Sequence, residues 1–332
     1  MTCCIIRFGW AGFVRLQSAM EYLMTYGWAI LIIAVVLAAL FELGVFNVLS
    51  LEPHVAPGAC YVYRPEGPST LAYISLSGEC NGYLPQFVAS FNGYSTNISA
   101  PISALSLMNK GQFAVTSWIY VKGQTGTEQI PVSLGADVCY TSYSSGPNDT
   151  GVILIAAPGY PASAPSNAQP DYFKAAACIF NTTYGGAQWE WVTADFTQGD
   201  YNKWIFVATT YDGTYLDLYI NGNLVNSTKA PGTLLPPKGY ISLGNMYSPI
   251  YSGSRFWYNG SLSNIQVYNE SISAQGVKYL YDKGIGEPPE ELDKLALWIP
   301  LNGNANDYSG NTYGSQFYNG SYYGWINNYR YT

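Results

Sequence analysis

The sequence predicts an all-β sandwich carried on one long N-terminal membrane-spanning α-helix. Three observations predict it. An uncharged apolar run lies near the N-terminus. Short alternating runs separated by Gly, Pro, Asn and Ser fill the chain from about Ala59 onward. Within them, Asp212-Gly213 and Asn221-Gly222 divide three alternating runs in close succession, as hairpin turns do.

The helix comes first in the chain. Trp28–Leu40 carries no charge, and its apolar character continues to Phe46. A bilayer needs about 20 such residues, and this run is long enough. Arg7 and Arg15 precede it with no acid among them, which predicts a cytoplasmic N-terminus and an extracellular chain after about Leu51. The expected organisation is a leader at 1–16, the membrane helix at 17–50, a connecting segment at 51–86, the sandwich at 87–285, and a linker with a C-terminal strand at 286–332. Glu21 stands at the mouth of the apolar run, where a charge costs roughly 2.5–3.5 kcal/mol if it reaches the membrane centre.

The polar stretch "QSAMEY" before the apolar core resembles the class III signal of archaeal type IV pilin-like proteins. That resemblance implies cytoplasmic cleavage after Leu16, a mature chain beginning at Gln17, and Glu21 as its fifth residue. Leu16 is a departure, because the family usually carries a small residue there. The resemblance also implies pilin-like subunits as partners, with Glu21 meeting the terminal amine of a neighbour. Such a pair offsets the desolvation each charge would suffer alone. The other open reading is a simple anchor with Glu21 at the headgroups.

The expected ectodomain holds Cys60, Cys80, Cys139 and Cys178, an even number that suggests disulfides outside the cell. Of the three possible connectivities, proximity favours Cys60–Cys80 with Cys139–Cys178. Buried thiols are the alternative. Seven N-x-S/T triplets, at Asn97, Asn148, Asn181, Asn226, Asn259, Asn269 and Asn319, are candidate glycosylation sites. Charged residues make up 11% of the chain, against about 25% in ordinary soluble domains. Glycans, or life at low pH where carboxylates are neutral, are two ways for such a surface to stay soluble. The net charge of −7 gives no reason to expect nucleic acid as a partner.

Among the strands, "FAVTSWIYV" (Phe113–Val121) is one, and Trp204–Thr228 supplies three more. In the middle run Leu216, Leu218 and Ile220 point one way and Tyr215, Asp217 and Tyr219 the other. Both X-Gly dipeptides favour type I′ turns. The piece "SISAQGVKYLYDKG" predicts a short helix between an N-cap at Ser273 and a stop at Gly284.

"KWIFVATTYDGTYLDLYINGNLVNS", followed by "GYISLGN" and "GSLSNIQVYNESISAQGVKYLYDKG", resembles the laminin-G/concanavalin A-like jelly roll over roughly Phe87–Gly284. "FNGYSTNISAP" resembles the earlier strand pair of that fold. The resemblance implies the fold; lectins, adhesion modules and hydrolases all use it. Leu295–Asn311 resembles the first strand and loop of the same fold, yet it follows the last one. It either completes its own sandwich or inserts into a neighbouring subunit by strand addition. The first option avoids the entropy of association and is preferred.

His54 is the one histidine, which excludes a histidine triad and a histidine-rich metal site. Glycoside hydrolysis needs two carboxylates flanking one bond. Glu190 and Asp195 are an odd number of residues apart, as are Asp195 and Asp200, so each pair points to opposite faces of a regular strand. The expectation is therefore a protein that is not an enzyme. Binding is better served. Trp189 and Trp191 share one face of a strand, and Trp257 with Tyr258 lies in a loop before a late strand. All four are candidate sugar- or partner-stacking residues, with burial in the core as the alternative. No cofactor is expected. The resemblance implies calcium in some members, with Asp307 as the candidate ligand here, but Asn264 stands where an acid is usual. Together these readings describe a membrane-anchored, pilin-like surface protein with a lectin-like ectodomain. It would act in adhesion or as a filament or envelope subunit. A membrane-tethered carbohydrate-active enzyme and a monomeric anchored carbohydrate-binding protein are the alternatives.

Overall fold

The computed structural model describes residues 26–38, 59–63, 72–75, 83–85, 87–101, 110–136, 139, 151–157, 172–181, 185–248, 253–311 and 324–327. Leu16, Gln17, Glu21, His54, Cys80, Asn148 and Asn319 lie outside the described residues. The chain divides into two units, Met1–Ala56 and Pro57–Thr332. In the first, helix α1 covers 26–38, and its apolar side chains are exposed all round, with Trp28 at 66% and Ile33 at 58%. Among the described residues, no helix is long and apolar enough to cross a membrane.

The second unit begins with a small sheet of β1 (Ala59–Tyr63), β2 (Ala72–Ser75) and β3 (Tyr83–Pro85), in the order β2-β1-β3. Cys60 lies in β1. The sandwich follows. Its strands are β4 (Phe87–Asn92), β5 (Ile98–Pro101), β6 (Phe113–Val121), β7 (Val132–Gly135), β8 (Gly151–Ala157), β9 (Tyr172–Asn181) and β10 (Gly186–Asp195). They continue as β11 (Trp204–Tyr211), β12 (Tyr215–Ile220), β13 (Asn223–Lys229), β14 (Thr233–Leu234) and β15 (Tyr240–Leu243). After the hairpin of β16 (Met246–Ser248) and β17 (Gly253–Arg255) come β18 (Asn259–Tyr268), α2 (Ala274–Lys283), β19 (Leu295–Ile299) and β20 (Gly324–Asn327).

Two sheets face each other. The seven-stranded sheet runs β10-β9-β8-β7-β15-β5, with β14 beside β9. The eight-stranded sheet runs β13-β12-β11-β6-β18-β4-β20, with β19 beside β18. Alternation puts Phe173, Ala175, Ala177 and Ile179 of β9 against Leu216 and Leu218 of β12 in one shared core. The segment Phe91–Pro101 does not form a strand pair. It crosses from β4 in one sheet to β5 in the other, and Asn92 Oδ1 holds the corner by accepting from the amides of Tyr94, Ser95 and Thr96.

Strands β11, β12 and β13 pair antiparallel in succession. Asn221 and Gly222 both have positive φ, at 49° and 74°, as a type I′ turn requires. Asp212 departs from that expectation. Only its neighbour Gly213 has positive φ, while the Asp212 carboxylate accepts from the amides of Thr214 and Tyr215 and builds a longer loop. Tyr219 is buried although it lies on the face opposite Leu216 and Leu218. The reason is α2, capped by the Ser273 hydroxyl accepting from the Gly276 amide and ended at Gly284 with φ 97°. Val277 and Leu280 of α2 cover that face together with Trp118, Phe206 and Tyr219, so the middle of the eight-stranded sheet is buried on both sides.

The late segment Leu295–Ile299 pairs with β18 of its own chain. It extends the line of β4, which pairs with the earlier half of β18. The Phe87 amide donates to Asn302 Oδ1 at 2.9 Å, tying the first sandwich strand to the segment after β19. A disulfide joins Cys139 to Cys178.

Candidate functional site

The outer face of the seven-stranded sheet gathers the most chemistry among the described residues. Strands β9 and β10 pair in full register, with Trp191 opposite Ala176, Thr193 opposite Lys174 and Asp195 opposite Tyr172. Because Val192 and Phe173 point into the core, Trp189, Trp191, Thr193 and Asp195 share the outer face with Tyr172, Lys174 and Ala176. Trp191 is 55% exposed. Trp189 packs with Tyr172 and Phe256 against Ile130, Ala176 and Met246. The two indoles therefore share a face but not a role, one anchored and one presented.

Polar groups surround the exposed indole. Lys174 Nζ lies 5.5 Å from the centre of the Trp191 ring, 6.0 Å from that of Tyr172 and 3.6 Å from Glu128 Oε1. The Tyr172 hydroxyl donates to Glu128 Oε1. The backbone of β10 is held from the other sheet. Asn226 Nδ2 donates to the Thr193 carbonyl at 2.7 Å, and the Thr228 hydroxyl donates to the Trp191 carbonyl at 3.0 Å. These two side chains join the sheet edges formed by β13 and β10 and satisfy carbonyls that would otherwise invite another strand.

Tyr258, a candidate stacking residue by sequence, belongs to the core instead. It is fully buried, and its hydroxyl accepts from the Tyr120 amide at 3.1 Å and donates to the Ser261 carbonyl at 3.2 Å. Gly260 makes the room, since a Cβ there would sit 2.5 Å from the Tyr258 hydroxyl and 2.2 Å from the Tyr120 carbonyl oxygen. Trp257 is half-buried beside it. The aromatic that this loop delivers to the outer face is Phe256, held at a positive φ of 58°. Sequence reasoning missed Phe256, Tyr172, Lys174 and Glu128. The period-two pattern of "YFKAAACI" carries a signal for Tyr172 and Lys174, but only the pairing of β9 with β10 sets them beside Trp191.

Glu190 and Asp195 lie on opposite faces of β10. Glu190 is on the inner side, where its charge and that of Asp212 add to burial, the largest influence, in pushing the Tyr211 hydroxyl up to about 12. That hydroxyl donates to the carbonyls of Ala230 and Gly232. Asp307, the candidate calcium ligand, accepts hydrogen bonds from its own loop. One of its oxygens accepts from the Trp298 and Ser309 amides and the other from the Ser309 hydroxyl, so it builds a turn. Asn264, with φ 51°, sits where the β18 register shifts, and its Oδ1 accepts from Trp298 Nε1 at 2.9 Å. Its carboxamide bridges strands through a donor as well as an acceptor, giving Nδ2 to the Glu287 carbonyl. Among the described residues, no group of three His, Cys, Asp or Glu could hold a metal.

Of the sequon asparagines, Asn97 and Asn181 are buried. Asn226 is exposed, but its amide is the bridge to Thr193. Asn259 and Asn269 are half-buried.

Residues 92–278 match the family described as the concanavalin A-like lectin/glucanases superfamily, a Laminin G 3 domain. The chain belongs to that family. No curated protein matches it. Solved structures similar to it include a Bacteroides ovatus protein for which carbohydrate binding is proposed, at 18% identity and TM-score 0.45, covering 73% of this chain and 60% of that one. This chain thus spans less than two thirds of that protein. The CBM40 of Ruminococcus gnavus IT-sialidase gives 12% identity and TM-score 0.41, covering 59% of this chain and 97% of that one. A SAP-like pentraxin from Limulus polyphemus gives 14% and 0.39, covering 58% and 81%.

Proposed function

We propose that this chain is a membrane-anchored cell-surface protein whose lectin-like domain binds carbohydrate on the outer face of the seven-stranded sheet. The observation that carries the reading is Trp191, a large indole left more than half exposed on a regular strand with its backbone secured from both sides. Indole faces stack on the C–H faces of sugar rings, and the polar groups of Lys174, Glu128, Thr193 and Asp195 lie within the same patch to meet hydroxyls. The domain is a binder rather than an enzyme, a reading supported by the opposed faces of Glu190 and Asp195. Membrane anchoring is supported by α1, since a helix apolar on every side needs lipid or protein around it. The pilin-like pattern around Glu21 supports cleavage before Gln17 and assembly into a filament or envelope, where the domain would serve adhesion.

The test is a glycan array probed with the solubilised full-length chain and with Trp191→Ala. Binding by the first and at least tenfold weaker binding by the second is expected. An array that the unaltered protein leaves blank refutes the carbohydrate reading. Mass spectrometry of the native N-terminal peptide tests the other half: a chain starting at Gln17 is expected, and an intact Met1 reduces the helix to a plain anchor.

A further inference from the structure

Resting on that reading, we propose that the ligand is a neutral pyranose rather than an acidic sugar. The charge arrangement around Trp191 carries the inference. Among the described side chains that β9 and β10 place on this face, Lys174 is the one cation. Its ammonium is already committed to Glu128 Oε1 at 3.6 Å and to the rings of Trp191 and Tyr172. Glu128 and Asp195 stand on the same face, so the acids outnumber the base. A uronate or sialate carboxylate laid on Trp191 would meet net negative charge and would have to share Lys174 with Glu128. Two carboxylates on one cation repel each other, which offsets much of what the second gains.

A neutral ring meets no such obstacle. Its hydroxyls donate to Glu128 and Asp195, which accept only, while its C–H face covers the exposed indole. Hydrogen bonds to charged groups are worth more than neutral ones, so the Lys174–Glu128 pair aids recognition without needing a charged ligand. Tyr172 strengthens the arrangement by donating to Glu128, which leaves the carboxylate oriented for a further donor. The whole chain carries net charge −7, which acts in the same direction at longer range.

The test compares neutral hexose oligosaccharides with hexuronate oligosaccharides of the same linkage and length, titrated against the solubilised full-length chain by calorimetry. The neutral series is expected to bind at least tenfold more tightly, with little change between low and high salt. Asp195→Asn is expected to narrow that gap severalfold from both sides, improving uronate binding by removing a like charge and weakening neutral binding by removing a charged acceptor for its hydroxyls. Uronates bound as tightly as neutral sugars, or more tightly, overturn the inference and leave the carbohydrate reading standing. If neither series binds and a wide glycan array is also blank, the carbohydrate reading falls and the inference falls with it.

Discussion

Replacing Tyr258 by Phe separates the core from the binding face, because sequence reasoning placed this residue among the stacking candidates and the fold buries it. The substitution removes one hydroxyl and little volume. That hydroxyl takes the Tyr120 amide and gives its proton to the Ser261 carbonyl, both within the buried centre of the eight-stranded sheet. Each hydrogen bond contributes about 0.5–1.5 kcal/mol net, and taking the acceptor from a buried amide costs about 1–3 kcal/mol. A loss of roughly 2–3 kcal/mol follows, which lowers Tm by roughly 5–10 °C for a domain of this size. Trp191→Ala is the counterpart: an exposed site, with a stability change under about 1 kcal/mol. Thermal unfolding followed by near-UV circular dichroism measures the first quantity, and glycan binding at 25 °C, where both variants remain folded, measures the second. The expected pattern is stability lost without binding for Tyr258→Phe and binding lost without stability for Trp191→Ala. A Tyr258→Phe protein that keeps its Tm and loses its ligand would refute the placement of both residues.

Three further outcomes follow from the same packing. Cys139 and Cys178 are 39 residues apart in sequence, so replacing both by Ser frees a loop whose closure is worth about 4 kcal/mol in the chain-entropy view; denaturant unfolding with and without reductant should show a loss of that order. Gly260→Ala drives a Cβ into the Tyr120 carbonyl and the Tyr258 hydroxyl, and should destabilise by about 3 kcal/mol or more in the same assay because the main obstacle is backbone. For Glu287, burial is the largest influence and raises the carboxyl pKa above its ordinary 4.5, against the opposing pull of Lys283 and a hydrogen bond from Tyr279. A raised folded pKa gives a contribution that is fully present below the unfolded value and lost as pH rises through the folded one. Glu287→Gln should therefore raise stability at pH 7 and leave it unchanged below about pH 4, as urea titrations at the two pH values would show.

What the sequence by itself determined is what depends on neighbours along the chain. Short β-branched and aromatic runs bounded by turn residues placed β6, β11 and β12, because strand propensity and turn chemistry act between neighbours along the chain. Capping placed α2, because Ser273 and Gly284 act on groups within one turn of themselves. Asn221-Gly222 gave its turn because positive φ is a local demand. The same local reasoning failed at Asp212, whose side chain takes two amides and lengthens the loop. It was silent on the burial of Tyr219, since the element that covers this residue arrives more than fifty positions later. Only the tertiary structure decided which aromatic residues are core and which are presented. Trp191 and Tyr258 carry similar promise in sequence. Which is exposed depends on strand order: β10 is the edge of its sheet, whereas β18 lies between β6 on one side and β4 and β19 on the other. The grouping of Lys174, Glu128 and Tyr172 around Trp191 is likewise set by the register of β9 on β10 and by the loop before β7, distances in sequence across which periodicity carries no information.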